Sequence, residues 1–262
     1  MKKYLKAVFL VGWRIIFAYF AWMIRYSRHP EKYPIEVRFG KVQKLAQRVL
    51  KAFNVVYDIQ GLEEFYKNRK ENENHLIVCN HLADTDPIVL MALCKKPIAF
   101  VAKKESEKFP FVGRIVKCLG GEFLDRGDLK QELRVMMRIE KRIVSDENLD
   151  FVIYPEGTRN KDYKGGPLQF KYGTFRPAMK TGVPFTIFSV YGTNRVLSKK
   201  FKNKYNPIQV RCIKTYTKEE YADKTTAEMA LIAHDIVKDN VAEMVIKDKE
   251  MMHSLNKKHQ YD

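Results

Sequence analysis

A histidine and an aspartate five residues apart, in His81-Leu82-Ala83-Asp84-Thr85-Asp86, form the spacing in this chain most suited to chemistry. An imidazole held by a carboxylate can take a proton from a hydroxyl near neutral pH. Five residues are enough to turn back, so Asp86 can accept a hydrogen bond from His81. The stretch offers no serine nucleophile, and its one thiol is Cys79. His81 is therefore read as a general base acting directly on a substrate hydroxyl. The blander alternative is a structural histidine at a strand end, with Asp86 serving only as a helix N-cap.

The flanking residues say where the pair sits. His75 to Cys79 is a short apolar, β-branched run, the pattern of a buried strand. Asp86-Pro87 then opens the apolar segment Ile88 to Leu93, with Asp at the N-cap and Pro at the first helical position. His81 thus falls on a strand-to-helix connection at the carboxyl edge of a sheet, where open α/β folds bind ligands.

Strands and helices alternate from Asn54 onward. Strands are predicted at 55–59, 75–79, 98–101, 122–124, 151–154 and 185–190, and at 208–214 in an edge position. Helices are predicted over 61–69, 87–93, 111–119, 129–144, 175–180 and 225–251. This order predicts an α/β fold: a mixed, largely parallel sheet covered by helices on both faces, spanning residues 54–262.

Residues 1–53 read differently. Leu5 to Ile24 is almost wholly apolar or aromatic, broken by Lys6 and Arg14. A cleaved signal peptide is disfavoured because Arg14 splits the apolar region and no small-x-small site follows. A membrane-spanning helix would bury Arg14 near mid-bilayer, at about 2.5–3.5 kcal/mol. On a regular helix Lys3, Lys6, Arg14, Arg25 and Arg28 fall within an arc of about 100°. Trp13, Tyr19, Trp22 and several Phe make up the remainder, so a helix lying in the interface is the favoured reading. A proline turn at 29–34 and a second amphipathic helix through Val42, Leu45, Val49 and Phe53 would complete a membrane-associating hairpin. A plain surface helix packed on the domain is the other reading of that second helix.

With 48 basic against 31 acidic side chains in 262 residues, the net charge of +17 calls for an anionic partner. Basic residues are spread throughout without a base-stacking motif, which disfavours nucleic acid. The four cysteines are scattered, with no zinc spacing and no disulfide framework. Cations also follow three predicted strands: Lys103, Arg126 and Arg159, the last within Tyr154-Pro155-Glu156-Gly157-Thr158-Arg159. Gathered beside His81 they would bind a phosphate; singly, each is an ordinary exposed cation.

His81-x-x-x-x-Asp86, Gly121-Glu122-Phe123-Leu124-Asp125-Arg126 and Tyr154 to Arg159 stand in the order seen in glycerolipid acyltransferases, and the chain resembles that family. The similarity is greatest to bacterial 1-acyl-sn-glycerol-3-phosphate acyltransferases. Phe170 to Thr174 and Gly182-Val183-Pro184-Phe185 resemble two further family segments, so the likeness spans about 54–191. Ala83, Tyr154 and Ile187 depart from the usual residues. The resemblance implies a general base at His81, oriented by Asp86. It also implies a phosphate end of the acceptor site shaped by Lys103, Arg126, Glu156, Gly157, Thr158 and Arg159. The implied reaction acylates the free sn-2 hydroxyl of lysophosphatidic acid, giving phosphatidic acid. The implied co-substrate is an acyl thioester of acyl carrier protein or coenzyme A, with no metal and no other cofactor. An anionic membrane surface, met monotopically on the cytoplasmic face of the cell membrane, is the expected setting. Acylation of glycerol-3-phosphate or another lysophospholipid is the rival activity, and a basic lipid-binding protein the non-enzymatic one.

Overall fold

A computed structural model describes residues 2–145, 148–162, 165–198 and 204–257. Seven strands form one sheet: β1 (Val55–Gln60), β2 (Leu76–Cys79), β3 (Ile98–Lys103), β4 (Glu122–Leu124), β5 (Asp150–Ile153), β6 (Phe185–Tyr191) and β7 (Asn206–Tyr216). Their spatial order is β1-β7-β6-β2-β5-β3-β4. Every neighbouring pair is parallel except β6 with β7. The predicted α/β class, with a mixed and mostly parallel sheet, is what the chain adopts.

The helices are α1 (Lys2–Ala18), α2 (Ile24–Arg28), α3 (Ile35–Ala52), α4 (Leu62–Asn68), α5 (Asp86–Leu93), α6 (Pro110–Cys118), α7 (Leu129–Ile143), α8 (Arg176–Thr181), α9 (Lys218–Tyr221) and α10 (Thr226–Lys257). Right-handed crossovers decide which face each covers. From β1 to β2, β2 to β3 and β3 to β4 the chain moves across the sheet in one direction, which puts α4, α5 and α6 on one face. From β4 back to β5 and on to β6 it moves the other way, which puts α7 and α8 on the opposite face. Two cores result. One joins the N-terminal helices to α4, α5 and α6; the other packs Val135, Ile139 and Ile143 of α7 and Met229, Ala233 and Val237 of α10.

The reversal of direction falls between β2 and β5. Strand β2 leaves rightward over one face and β5 leftward over the other, which opens a crevice above their carboxyl ends. That is the ligand-binding position of open α/β sheets. Both strands are wholly buried and apolar but for Asp150, so their ends are fixed by packing.

Two expectations are corrected. Strand β7 is interior, between β1 and β6. Arg211 is buried within it and neutralised across the ladder by the carboxylate and carbonyl of Asp58. The N-terminal helix is not regular either: a π-helical turn at Tyr19–Met23 joins α1 to α2. Trp22 is buried there with Met23 and Tyr26, whereas Phe9, Trp13, Ile16, Phe17 and Phe20 are exposed. The outward face is therefore aromatic, with Arg14 exposed on its flank. Helix α3 buries Phe39, Val42, Leu45 and Val49 against the domain. Among the described residues no helix is long and apolar enough to cross a membrane.

Candidate active site

The loop after β2 is tied down on every side. The Asn80 amide bridges Val190 of β6, donating to its carbonyl at 3.0 Å and accepting from its N–H at 2.8 Å. Thr85 donates to the Thr193 carbonyl at 2.7 Å. From the neighbouring β5 loop, Asn160 N–H donates to His81 O at 2.8 Å. Glu156 then links the two loops: Oε1 accepts from His81 N–H at 2.6 Å and Oε2 from Leu168 N–H at 2.8 Å. Burial pushes the Glu156 carboxyl up from its usual value, while these two N–H groups pull it back. Glu156 is thus a buried strut beneath His81.

Within this frame His81 Nδ1 lies 2.7 Å from Asp86 Oδ2. A carboxylate oxygen is an acceptor, so Nδ1 carries the proton and Nε2 keeps its lone pair. Nε2 makes no hydrogen bond among the described residues, and the side chain is 15% exposed, enough for a substrate hydroxyl to reach it. Asp86 is not an N-cap. The cap position of α5 is Thr85, and Asp86 Oδ2 turns back to accept from Leu82 N–H at 2.7 Å and Ala83 N–H at 2.9 Å. Its carboxylate organises the preceding loop and the imidazole, not the first turn of the helix.

Tyr154 stacks on the His81 ring, with centroids 4.2 Å apart and planes 19° from parallel. The motif does not signal this contact, since in the sequence Tyr154 is only a departure from the family's usual phenylalanine. Its hydroxyl is buried and has no hydrogen-bond partner among the described residues, and the same is true of Asp86 Oδ1. Cys79, the last residue of β2, is buried, and burial pushes its pKa well up. A thiol in that state is a poor nucleophile.

The predicted cations share the carboxyl edge with His81 but stand at different distances from it. Arg159 pairs with Asp84 in the His81 loop. Lys103 pairs with Glu105 at 2.8 Å, and its neighbour Lys104 with Asp125 at 2.8 Å. Arg126 is exposed and makes no hydrogen bond or ion pair among the described residues; partial burial draws its pKa down from the usual value. At about 4.8 Å per strand, β3 and β4 lie about 10 and 14 Å from β2. Arg159 is therefore the near cation, with Lys103 and Arg126 further out. Thr158 is exposed on the same loop. Gly157 has φ +67°, and a Cβ there would lie 2.9 Å from Lys171 Cε. A side chain at 157 would be strained and would displace Lys171, a cation that the motif reading quoted but did not place in the site. Among the described residues no cluster of His, Cys, Asp and Glu could hold a metal.

Residues 58–191 match the family model described as Acyltransferase. The chain is 26% identical to a 1-acyl-sn-glycerol-3-phosphate acyltransferase of Haemophilus influenzae, over 75% of this chain and 81% of that one. It is 30% identical to a probable 1-acyl-sn-glycerol-3-phosphate acyltransferase of Mycoplasma pneumoniae, over 64% of this chain and 62% of that one. The crystal structure of the 1-acyl-sn-glycerophosphate (LPA) acyltransferase PlsC from Thermotoga maritima superimposes with a TM-score of 0.70. That match covers 92% of this chain and 94% of the other at 24% identity, and so establishes a shared fold. With the family model spanning 58–191, just over half of the sequence, the chain belongs to the acyltransferase family.

Proposed function

We propose that the protein transfers an acyl group from a thioester to the sn-2 hydroxyl of 1-acyl-glycerol-3-phosphate, forming phosphatidic acid for phospholipid synthesis. The observation that carries this reading is the His81–Asp86 hydrogen bond at 2.7 Å, with Nε2 left open and no reactive thiol beside it. Nε2 takes the hydroxyl proton as the alkoxide oxygen bonds the thioester carbonyl. The tetrahedral intermediate collapses, the C–S bond breaks, and the imidazolium returns the proton to the departing thiolate. Asp86 keeps the ring in its Nδ1–H tautomer and stabilises the imidazolium between the two transfers. The balance closes without a metal or a further cofactor.

Arg159, Arg126 and Lys103 would bind the acceptor phosphate, the nearer cation as a guanidinium fork. Acyl carrier protein or coenzyme A carries the donor. The exposed Phe9, Trp13, Ile16, Phe17 and Phe20 fit a monotopic seat in the cytoplasmic leaflet, and the positive charge favours anionic lipid. Relatives named as 1-acyl-sn-glycerol-3-phosphate acyltransferases support this choice of acceptor. The test offers purified protein lysophosphatidic acid, glycerol-3-phosphate and lysophosphatidylcholine with both thioester donors, products being read by mass spectrometry. Phosphatidic acid should dominate. Preferred acylation of either other acceptor would overturn the assignment.

A further inference from the structure

Helix α7 presents an outer face that the chemistry of His81 does not use. Leu129, Leu133, Met137 and Val144 at its end are all exposed, Leu129 by 82%. At 100° per residue these four lie within an arc of about 80°. Lys130, Arg134, Arg138 and Lys141 are exposed along the adjoining arc. The one carboxylate on the apolar side, Glu140, is half-buried and held by Arg176 at 2.7 Å. Arg138 is occupied by Glu122 at 2.8 Å, and Arg134 reaches Asp128 only at 4.0 Å. Lys130 and Lys141 make no ion pair among the described residues. An apolar spine beside a row of cations fits an acidic helix with apolar residues of its own.

The place of α7 decides between a membrane and a protein as that partner. The exposed aromatic face belongs to α1, and α1 to α6 cover one face of the sheet; α7 covers the other. A bilayer touching Phe9, Trp13 and Phe20 is therefore on the wrong side for Lys130 and Leu133. The first turn of α7 also starts three residues after Arg126, at the carboxyl edge that holds His81. We infer that the outer face of α7 docks an acidic carrier protein whose thioester arm reaches His81 along that edge, while the lipid acceptor arrives from the opposite face. The inference rests on the proposed acyl transfer, and it selects the protein-borne form of the donor.

The test measures binding and turnover separately. Binding of fluorescently labelled acyl carrier protein to the full chain is read by anisotropy. Steady-state kinetics compare palmitoyl-acyl carrier protein with palmitoyl-coenzyme A. A charge reversal, Lys130→Glu with Arg134→Glu and Lys141→Glu, should weaken carrier binding about ten- to a hundredfold and raise that donor's KM similarly. Its kcat, its kinetics with palmitoyl-coenzyme A and its binding to anionic vesicles should not change. Leu133→Ser with Met137→Ser should weaken carrier binding without altering its salt dependence, which separates docking from a general loss of charge. An equal loss on both donors, loss of vesicle binding in place of carrier binding, or no carrier binding by the unaltered chain would each overturn the inference. A chain that bound the carrier but transferred nothing would refute the proposed function and leave the docking surface standing.

Discussion

Replacing Asp86 by Asn tests the dyad most sharply, because the structure dictates which way the amide must sit. Asp86 Oδ2 accepts three bonds: from His81 Nδ1–H, Leu82 N–H and Ala83 N–H, at 2.7, 2.7 and 2.9 Å. With the amide oxygen in that place all three survive, and the NH2 takes the Oδ1 position. The flipped amide would aim its NH2 at two backbone donors, leaving both unsatisfied at about 1–3 kcal/mol each. The imidazole therefore keeps its tautomer, and only the charge is lost. A unit pair at about 4 Å in an effective dielectric of about 20 interacts by about 4 kcal/mol, and the amide dipole restores part of it. A net loss of about 3–4 kcal/mol lowers kcat/KM roughly 10²- to 10³-fold. In a serine-protease triad, where the same change selects the wrong tautomer, the loss is about 10⁴. The NH2 at Oδ1 lacks a partner but a buried charge has gone, so the Tm should move by no more than about 4 °C. The assay is kcat/KM with lysophosphatidate and one thioester, with His81→Ala as the floor and imidazole 15N NMR reporting the tautomer. Wild-type activity would refute the dyad. A 10⁴-fold loss with the proton moved to Nε2 would refute the argument from Leu82 and Ala83.

Tyr154→Phe keeps the stack on His81 and removes a buried hydroxyl without a partner, so it should stabilise the fold by about 1 kcal/mol; destabilisation in a denaturant melt would show that the hydroxyl is hydrogen-bonded. Arg159→Ala and Arg126→Ala should each raise the acceptor KM about ten- to a hundredfold, with the donor KM unchanged. Burial first, and then Arg69, pushes His75 down to about 4 from 6.5. The unfolded chain then holds the extra proton between about pH 6.5 and 4, so stability is lost as the pH is lowered through that window. The loss is up to about 3 kcal/mol, and His75→Gln should flatten it in urea melts. Trp13→Ser with Phe17→Ser should release the chain from vesicles without changing its Tm, both side chains being exposed.

The parts of this molecule legible in its sequence are those fixed by near neighbours. The apolar run ending at Cys79, the Asp86-Pro87 helix start and the alternation from Asn54 onward are local patterns, and they recover the strand-to-helix connection carrying His81. What escaped depends on distant pairing. That both oxygens of Glu156 are engaged by the N–H groups of His81 and Leu168 has no trace in the motif's spacing. The interior place of β7 rests in part on the pairing of Arg211 with Asp58, 153 residues away, which no local pattern carries. Asp86 carried both helix-start and catalytic signals, and only the turn of loop 81–85 shows which groups its oxygen serves. The stack of Tyr154 on His81 has no spacing to betray it, since β2 and β5 meet only in the sheet.

The π-helical turn at Tyr19–Met23, closed by Ile24 N–H on Tyr19 O, bears on how this chain tolerates change in length. A π turn holds one residue more than an α turn, and each residue advances the helix by about 100°. Before it, Phe9, Trp13 and Phe17 are exposed; within it Trp22 and Met23, and after it Tyr26, are buried. The turn is a phase joint between the two. Removing one residue from within the turn would give a regular α turn and leave the aromatic stripe near its present angle, whereas removing one from α1 itself would swivel the stripe ahead of the cut by about 100° about the axis. Conservative replacements that keep Trp22 and Met23 apolar preserve that angle, but a single insertion or deletion within α1 does not. Orientation here is encoded in the number of residues more than in their kind.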